Sequence, residues 1–383
     1  MKKLLLIHNL YRETGGEDIA VKREVEILKK HFQVKTVYFS NEVDNFLKRA
    51  LLFFTSRNKK SEKYISKIIE DFNPDIAYVH NTWFEASISI FDTLKKYNIK
   101  TILKLHNFRY YCTSTFSHKK HIGKNQYCHA CGQKKSQFKI FNKYFSNSYL
   151  KSFMVNLYGR KYFNILKFYD LKIVVLTKFH QSFLINLGVA GKKINVMPNL
   201  MEDNSSENKY SFESDYLVYA GRVSEEKGVE ELILAFLNCN FSDKYLKIIG
   251  TGPLLEELKK KYDEPSILFL DNVNNSEVLK IISNSKAVVT STKLFEGQPT
   301  LLCEAATLSI PSIFPKSGGI EEFFPKEYPL SFNQFDYKEL TEKLLMVDNT
   351  KSLSSAGSES KKFFSKNFNE IGTINILKRI INE

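Results

Sequence analysis

The sequence predicts an α/β protein built from two Rossmann-like, doubly wound parallel-sheet domains facing a cleft. Three observations predict it. Short aliphatic, β-branched-rich runs alternate with segments of helical apolar spacing. The alternation restarts after a polar stretch near the middle of the chain. And 383 residues are long for one compact core but comfortable for two. Strand–helix alternation implies parallel strands covered by helices on both faces.

The elements follow in order. "KLLLIHN" reads as a buried strand, and "EDIAVKREVEILKKHF" repeats apolar residues at helical spacing. "VKTVYF", "DIAYVHN", "KTILKLHNF" and "LKIVVLTKF" are further strands. "MEDNSSENKYSFESD" (201–215) has no apolar period and reads as the connection between domains. Then "YLVYAG", "YLKIIG", "ILFLDNV", "AVVTST" and "PSIFPK" are strands. "GVEELILAFLN", "PLLEELKKKY" and "TLLCEAATL" are helices among them. Helical segments at 355–367 and 371–382 close the chain. The expected division is 1–203, 214–365, and a last helix in 366–383 packing back on the first domain.

Charge is unevenly placed. Of the formal net charge of +14, residues 1–200 carry +21 and the remainder −7. Between Lys119 and Lys178 there are thirteen Lys or Arg and one acid, Asp170, with aromatics interleaved throughout. Nucleic acid and an anionic membrane both fit such a surface. The start, "MKKLLLIHNLYRE", holds a four-residue aliphatic run, short of the roughly 7–15 apolar residues of a signal peptide. No window approaches the roughly 18–20 residues of a membrane span. The expectation is therefore a cytoplasmic protein whose membrane contact is peripheral. Five cysteines, three of them clustered, are no secreted disulfide framework.

Two stretches carry chemistry. "LFEGQPTLLCE" (294–304) sets Glu296 in a turn-prone loop and Glu304 one turn into a helix. Pro299 suits the start of that helix. The N–H groups of Gln298, Thr300 and Leu301 then point out of it, where they favour anions or sugar hydroxyls. Arg222 and Lys227 flank a turn between a strand and a helix, where two cations can hold a diphosphate. The alternative is a solvated basic pair bridged by Glu225 and Glu226, with Glu304 paired to a neighbour and Glu296 an exposed loop acid.

"YAGRVSEEKGVEELILAF", "IIGTGPLLEEL", Glu296-x7-Glu304 and "SGGIEE", in that order, resemble the donor domain of retaining family-4 glycosyltransferases of the GT-B fold, of the bacterial polysaccharide type. "TGGEDIAVKREVEIL", "VHNTWFEAS", "KLHNFRYYC" and "VVLTKFHQSFLINLGVAGKKINVMPN" resemble the same family's first domain. The resemblance implies roles for single residues. Arg222 and Lys227 hold and neutralise the diphosphate. Glu304 accepts from the ribose hydroxyls and Glu296 from the donor sugar. Gly297, Gln298, Pro299, Thr300 and Leu301 line the donor, the base lies near Val273, and Gly15 and Gly16 admit phosphate or acceptor. His106 faces the reacting carbon, whereas His80 is a strand-end residue with no direct role. By spacing alone, His106 reads equally well as a capping or core residue. Gln298 departs from the aromatic or aliphatic residue common at its position, which leaves the donor sugar open.

The implied activity is metal-independent, cofactor-free, same-face transfer of a sugar from a nucleotide diphosphate to a hydroxyl of a glycan. The acceptor is lipid-linked, in capsule, exopolysaccharide or lipopolysaccharide synthesis, and the stretch 134–178 reads either as an interfacial helix on the anionic inner leaflet or as an ordinary core face with its lysines in solvent. The other readings are a sugar-nucleotide epimerase on the same fold and a basic nucleic-acid-binding protein. The latter leaves the acidic second half unexplained, so nucleic acid is not the expected partner. Cys112, Cys128 and Cys131, with His118, His121 and His129 nearby, form C-x15-C-x2-C. They read as a reduced structural loop or as a zinc site.

Overall fold

The structure, a computed structural model, describes residues 1–11, 15–40, 52, 54–108, 128–130, 149–201 and 214–383. Cys112, Cys131, His118, His121 and the first third of the basic stretch, 134–148, lie outside these residues, as does most of the polar connection. The chain forms two compact units, Met1–Leu200 with Glu370–Glu383, and Met201–Asn369.

The first unit contains β1 (Lys3–Leu10), α1 (Gly16–Lys29), β2 (Gln33–Ser40), α2 (Lys59–Phe72), β3 (Ile76–Val79), α3 (Ile90–Lys96), β4 (Lys100–Leu105), α4 (Tyr149–Phe168), β5 (Lys172–Val175), α5 (Lys178–Asn186) and β6 (Ile194–Val196). Its strands form one sheet in the order β2-β1-β3-β4-β5-β6, with every neighbouring pair parallel. Alternate residues of the strands feed two cores, as the period of two requires. Leu4, Leu6, Ile76, Tyr78 and Ile102 pack under α1 through Val21, Val25 and Leu28. Leu5, Ile7, Ala77, Val79, Leu103 and Leu105 pack on the other face against α2, α3 and α4.

The second unit runs β7 (Tyr216–Ala220), α6 (Val229–Asn238), β8 (Tyr245–Ile249), α7 (Leu255–Lys261), β9 (Ile267–Leu270), α8 (Asn275–Ser283), β10 (Ala287–Val289), α9 (Thr300–Thr307), β11 (Ser312–Lys316), β12 (Ser331–Asn333), α10 (Tyr337–Leu345) and α11 (Thr350–Asn367). Its sheet is again wholly parallel, ordered β12-β11-β10-β7-β8-β9. Each unit is thus a doubly wound α/β fold. The last helix, α12 (Glu370–Asn382), belongs to the first unit. Ile374, Leu377, Ile380 and Ile381 join the α1 core, and Lys100 Nζ donates to the Ile381 carbonyl at 2.7 Å.

Two findings differ from the sequence reading. β6 and β12 escaped it because each is a three-residue edge strand, too short to show a period. And part of the aromatic stretch meant for a membrane is core. Met154, Tyr158, Tyr162, Ile165 and Leu166 of α4 are buried against the sheet. Tyr149, Leu150 and Phe168, at the ends of α4, are exposed.

The α12 contacts make a stability prediction. Leu377 is 1% exposed, so Leu377→Ala should cost about 2–5 kcal/mol. The single tryptophan, Trp83, lies against Tyr158 in the first unit, ring centroids 4.6 Å apart, and reports its unfolding. A urea midpoint of Trp83 fluorescence unchanged by the substitution would show that α12 does not belong to that core.

Candidate functional site

In an open parallel sheet, ligands bind beyond the carboxyl ends of the strands, where the order of strands reverses. In the second unit that point lies between β7 and β10. Arg222 and Lys227 follow β7, and Glu296 follows β10. The tight turn Glu225–Lys227 ends at Gly228, whose φ is +69°. A Cβ there would lie 2.2 Å from the Ser291 carbonyl oxygen. Glycine is what lets the two loops touch, and the Ser291 hydroxyl closes the contact by donating to the Gly228 carbonyl at 2.7 Å.

Across this contact the Lys227 ammonium reaches Glu296, with Nζ 2.6 Å from Oε1. The Thr292 hydroxyl donates to the same oxygen at 2.9 Å. Among the described residues, the ion pair that Lys227 forms is with Glu296, 69 positions away, rather than with the adjacent Glu225 or Glu226. Glu296 is no exposed loop acid either. Gly318, at φ +62°, leaves room for its backbone: a Cβ would meet the Glu296 nitrogen at 2.6 Å. The Gly319 N–H donates to the Glu296 carbonyl at 2.8 Å. The glycine pair of "SGGIEE" thus buttresses the acid loop. Arg222 is exposed and, among the described residues, forms no ion pair.

Beyond Glu296 the chain enters α9 with Pro299 as its cap residue and no side-chain cap. The first bond of the helix runs from the Cys303 N–H to the Pro299 carbonyl at 3.0 Å. The N–H groups of Thr300, Leu301 and Leu302 precede it and have no partner within the helix. Glu304 stands one turn below Thr300 and is buried. Gly297 and Gln298 are also buried. Burial pushes the pKa of the Cys303 thiol up, and the Gln298 side chain beside it acts in the opposite sense. Val273 follows β9 and packs against the second core, away from the β7/β10 switch.

In the first unit the order reverses between β1 and β3. The residues that extend β1, β3 and β4 toward α1 include three histidines. His8 Nε2 donates to Asp18 Oδ1 of α1 at 2.8 Å, both buried. Asp18 also accepts from the Gly15 N–H at 3.0 Å, which shapes the start of α1. Gly15 itself is extended, and nothing lies within 4 Å of where its Cβ would be; Gly16 is exposed. His80 Nδ1 and His106 Nε2 are 2.9 Å apart, their rings stacked. The strand-end reading of His80 missed this pairing.

One layer deeper lies a buried charge pair, Lys104 Nζ to Glu24 Oε2 at 2.8 Å, with the Tyr78 hydroxyl donating to Glu24 Oε1 at 2.8 Å. Burial lowers the Lys104 pKa and Glu24 opposes it. Burial, above all, holds His80 and His106 well below the ordinary imidazole value, and the Lys104 charge adds to it. Burial alone takes His180 down to about 3. Asp18, Glu24, Tyr78 and Lys104 were not singled out from the sequence. A signal existed: "TILKLH" places a lysine in a strand otherwise apolar, and such a charge needs a buried partner.

Residues 202–362 match the family model for glycosyl transferases group 1. CapM of Staphylococcus aureus, a capsular polysaccharide biosynthesis glycosyltransferase, is 26% identical over 163 residues, 40% of this chain and 42% of the relative. AmsD of Erwinia amylovora, an amylovoran biosynthesis glycosyltransferase, is 27% identical over 154 residues, 37% of this chain and 42% of the relative. The matches thus span less than half the length of either relative. Among solved structures, HepE of Anabaena, in complex with UDP and glucose, superposes with a TM-score of 0.71 at 15% identity over 100% of both chains. The fold is that of GT-B glycosyltransferases, and the match to the group 1 model falls within the second unit.

The three neutral histidines set a pH dependence. Their folded pKa values lie below the unfolded value near 6.5. Below that pH the unfolded chain binds protons that the folded chain does not. Stability is therefore full above about pH 7 and lost as pH falls, by up to about 1.4 kcal/mol per pH unit for each histidine. Urea titrations followed by Trp83 fluorescence should show the midpoint falling between pH 7.5 and 5.5. A constant midpoint would contradict the burial of these rings.

Proposed function

We propose that the protein is a retaining glycosyltransferase that moves a sugar from a nucleoside diphosphate to a hydroxyl of a growing glycan. The observation that carries this reading is the Lys227–Glu296 contact of 2.6 Å at the sheet's switch point, beside the uncapped start of α9. A cation, a sugar-facing carboxylate and open backbone donors are what a diphosphate-linked sugar calls for. The match of residues 202–362 to group 1 glycosyltransferases and the polysaccharide roles of CapM and AmsD support it, as does the UDP held by HepE on the same fold.

In this reading Arg222 and Lys227 bear on the diphosphate as charge grows on it. Glu304 accepts from the ribose hydroxyls, Glu296 and the Gly297–Leu301 segment hold the sugar, and Val273 lies near the base. In the first unit, Gly15 and Gly16 bear on the acceptor. The bond from the anomeric carbon to the diphosphate oxygen breaks, and the bond to the acceptor oxygen forms on the same face of the sugar. The acceptor proton passes to the departing diphosphate. No metal is required, because the two cations and the helix start supply the positive field.

The acceptor is a lipid-linked glycan of a bacterial surface polysaccharide, met at the inner face of the membrane. Among the described residues no helix is long and apolar enough to cross a membrane. The exposed Leu150 and Phe168, on a chain segment rich in lysine, suit a peripheral contact. Flotation with vesicles should require anionic lipid; equal binding to neutral vesicles would reject the contact.

Arg222→Ala and Lys227→Ala should each lower kcat by roughly 10²–10³, while Glu304→Ala raises KM for the nucleotide sugar more than it lowers kcat. Steady-state transfer with a radiolabelled donor measures all three. Wild-type rates in every variant would overturn the site, and an inverted anomeric configuration in the product, read by NMR, would overturn the retaining course.

A further inference from the structure

A lysine is rarely taken out of water without a partner, and the loop that carries Glu296 holds one. Lys293 is 5% exposed. It stands between β10 and Glu296, and its Nζ lies 2.5 Å from Oε1 of Glu231, in the first turn of α6. The Lys227–Glu296 pair runs the other way, from the turn before α6 to the same loop. Each of the two segments thus supplies one cation and one carboxylate to the other. Their backbones are joined as well. The Lys293 N–H donates to the Glu226 carbonyl at 3.0 Å, close to the Ser291–Gly228 contact.

The far side of the loop is held by neutral bonds. Ser317, just after β11, donates from Oγ to the Leu294 carbonyl at 2.8 Å. Gln334, just after β12, donates from Nε2 to the carbonyls of Thr292 at 3.3 Å and Leu294 at 3.4 Å. These bonds grip the residues on either side of Lys293. Thr292 donates its hydroxyl to Glu296 Oε1 at 2.9 Å and accepts from the Leu294 N–H at 3.2 Å. A displacement of Lys293 is therefore passed to Thr292, and from Thr292 to the carboxylate.

The two ion pairs differ in what they can do. Lys227 is about a third exposed, so its ammonium can turn to an arriving diphosphate. Lys293 is enclosed and stays with Glu231. Removing Glu231 leaves a buried cation uncompensated, which is costly. Removing the Lys293 ammonium leaves a carboxylate about a quarter exposed, which water can solvate.

We propose that Lys293, anchored on Glu231, is a positioning residue that fixes the loop so that Glu296 meets the donor sugar in the geometry of transfer. It touches no substrate itself. The part played in transfer rests on the glycosyltransferase reading; the anchoring of the loop does not.

The test compares the full chain with Lys293→Met, Glu231→Gln and the double variant, by hydrogen–deuterium exchange and by steady-state transfer. Peptides covering 292–298 and 317–320 contain the bonded amides of Leu294 and Gly319. Lys293→Met should speed their exchange by roughly 10-fold or more, with peptides of β7 and β8 exchanging as in the wild type. It should lower kcat by roughly 10- to 100-fold. Inhibition by the free nucleoside diphosphate of the donor should change less than about twofold, because Arg222 and Lys227 remain. Lys293→Arg, which keeps the cation, should recover most of the rate. The double variant should be no slower than Lys293→Met alone, since the pair acts as a unit. A role confined to stability would instead raise exchange in β7 and β8 as much as in the loop and leave kcat of the folded fraction unchanged. Unchanged exchange in the loop, unchanged kcat, or additive losses in the double variant overturns the inference. If Lys293→Met does not fold, Glu231→Gln decides it by the same exchange readout. Failure of the wild type to transfer from any nucleotide sugar would reject the proposed function, and the exchange comparison would still read the anchoring.

Discussion

Every neighbouring pair of strands in both sheets is parallel, and the rest of the molecule follows from that. Parallel strands must be joined by crossovers, the crossovers here are mostly helices, and helices on both faces leave no side of the sheet for polar chemistry. All strands of a sheet then end on one edge, and the loops leaving that edge are where polar groups can gather. Where the strand order reverses, adjacent strands send their chains to opposite sides and a gap opens between them. In the first unit the gap collects His8 and His80, with His106 one strand further along. In the second it collects Arg222, Lys227, Thr292 and Glu296. Gly228 and Gly318 let these second-unit loops approach at distances no side chain would permit.

The two gaps use charge differently. Lys227 and Glu296 are about a quarter exposed, and pairs of that kind contribute roughly 0–1 kcal/mol to folding. Their geometry is therefore better understood as preparation for a ligand than as a brace. Lys104 and Glu24 are fully buried. Replacing such a pair with matched apolar residues often costs a fold nothing, while removing one partner costs a great deal. What the buried pair does supply is a fixed positive charge beneath two imidazoles, in surroundings where water cannot screen it.

Much of the fold was legible in the residues because long buried strands and amphipathic helices write their periods plainly. "KLLLIHN", "YLVYAG" and "GVEELILAF" became β1, β7 and α6. The edge strands β6 and β12 did not show, since three residues cannot display a period. The aromatic run through α4 left two readings open for a related reason. Aromatics three and four apart describe a helical face without saying what covers it, and the sheet covers Tyr158 and Tyr162. In the candidate site, the types and order of Arg222, Lys227, Glu296 and Glu304 were visible. The pairing of Lys227 with Glu296 in place of its neighbours was not.

By itself, then, the sequence determined two doubly wound units, the strand ends at which chemistry could occur, and the residue types gathered there, because local periodicity and turn chemistry act between near neighbours. Only the tertiary structure decided the partners: His80 with His106, Glu24 with Lys104, Lys227 with Glu296. Those pairings join residues 26 to 80 positions apart. Such contacts depend on which strands lie side by side in the sheet, and on burial that leaves each polar group a single place to find its hydrogen bond.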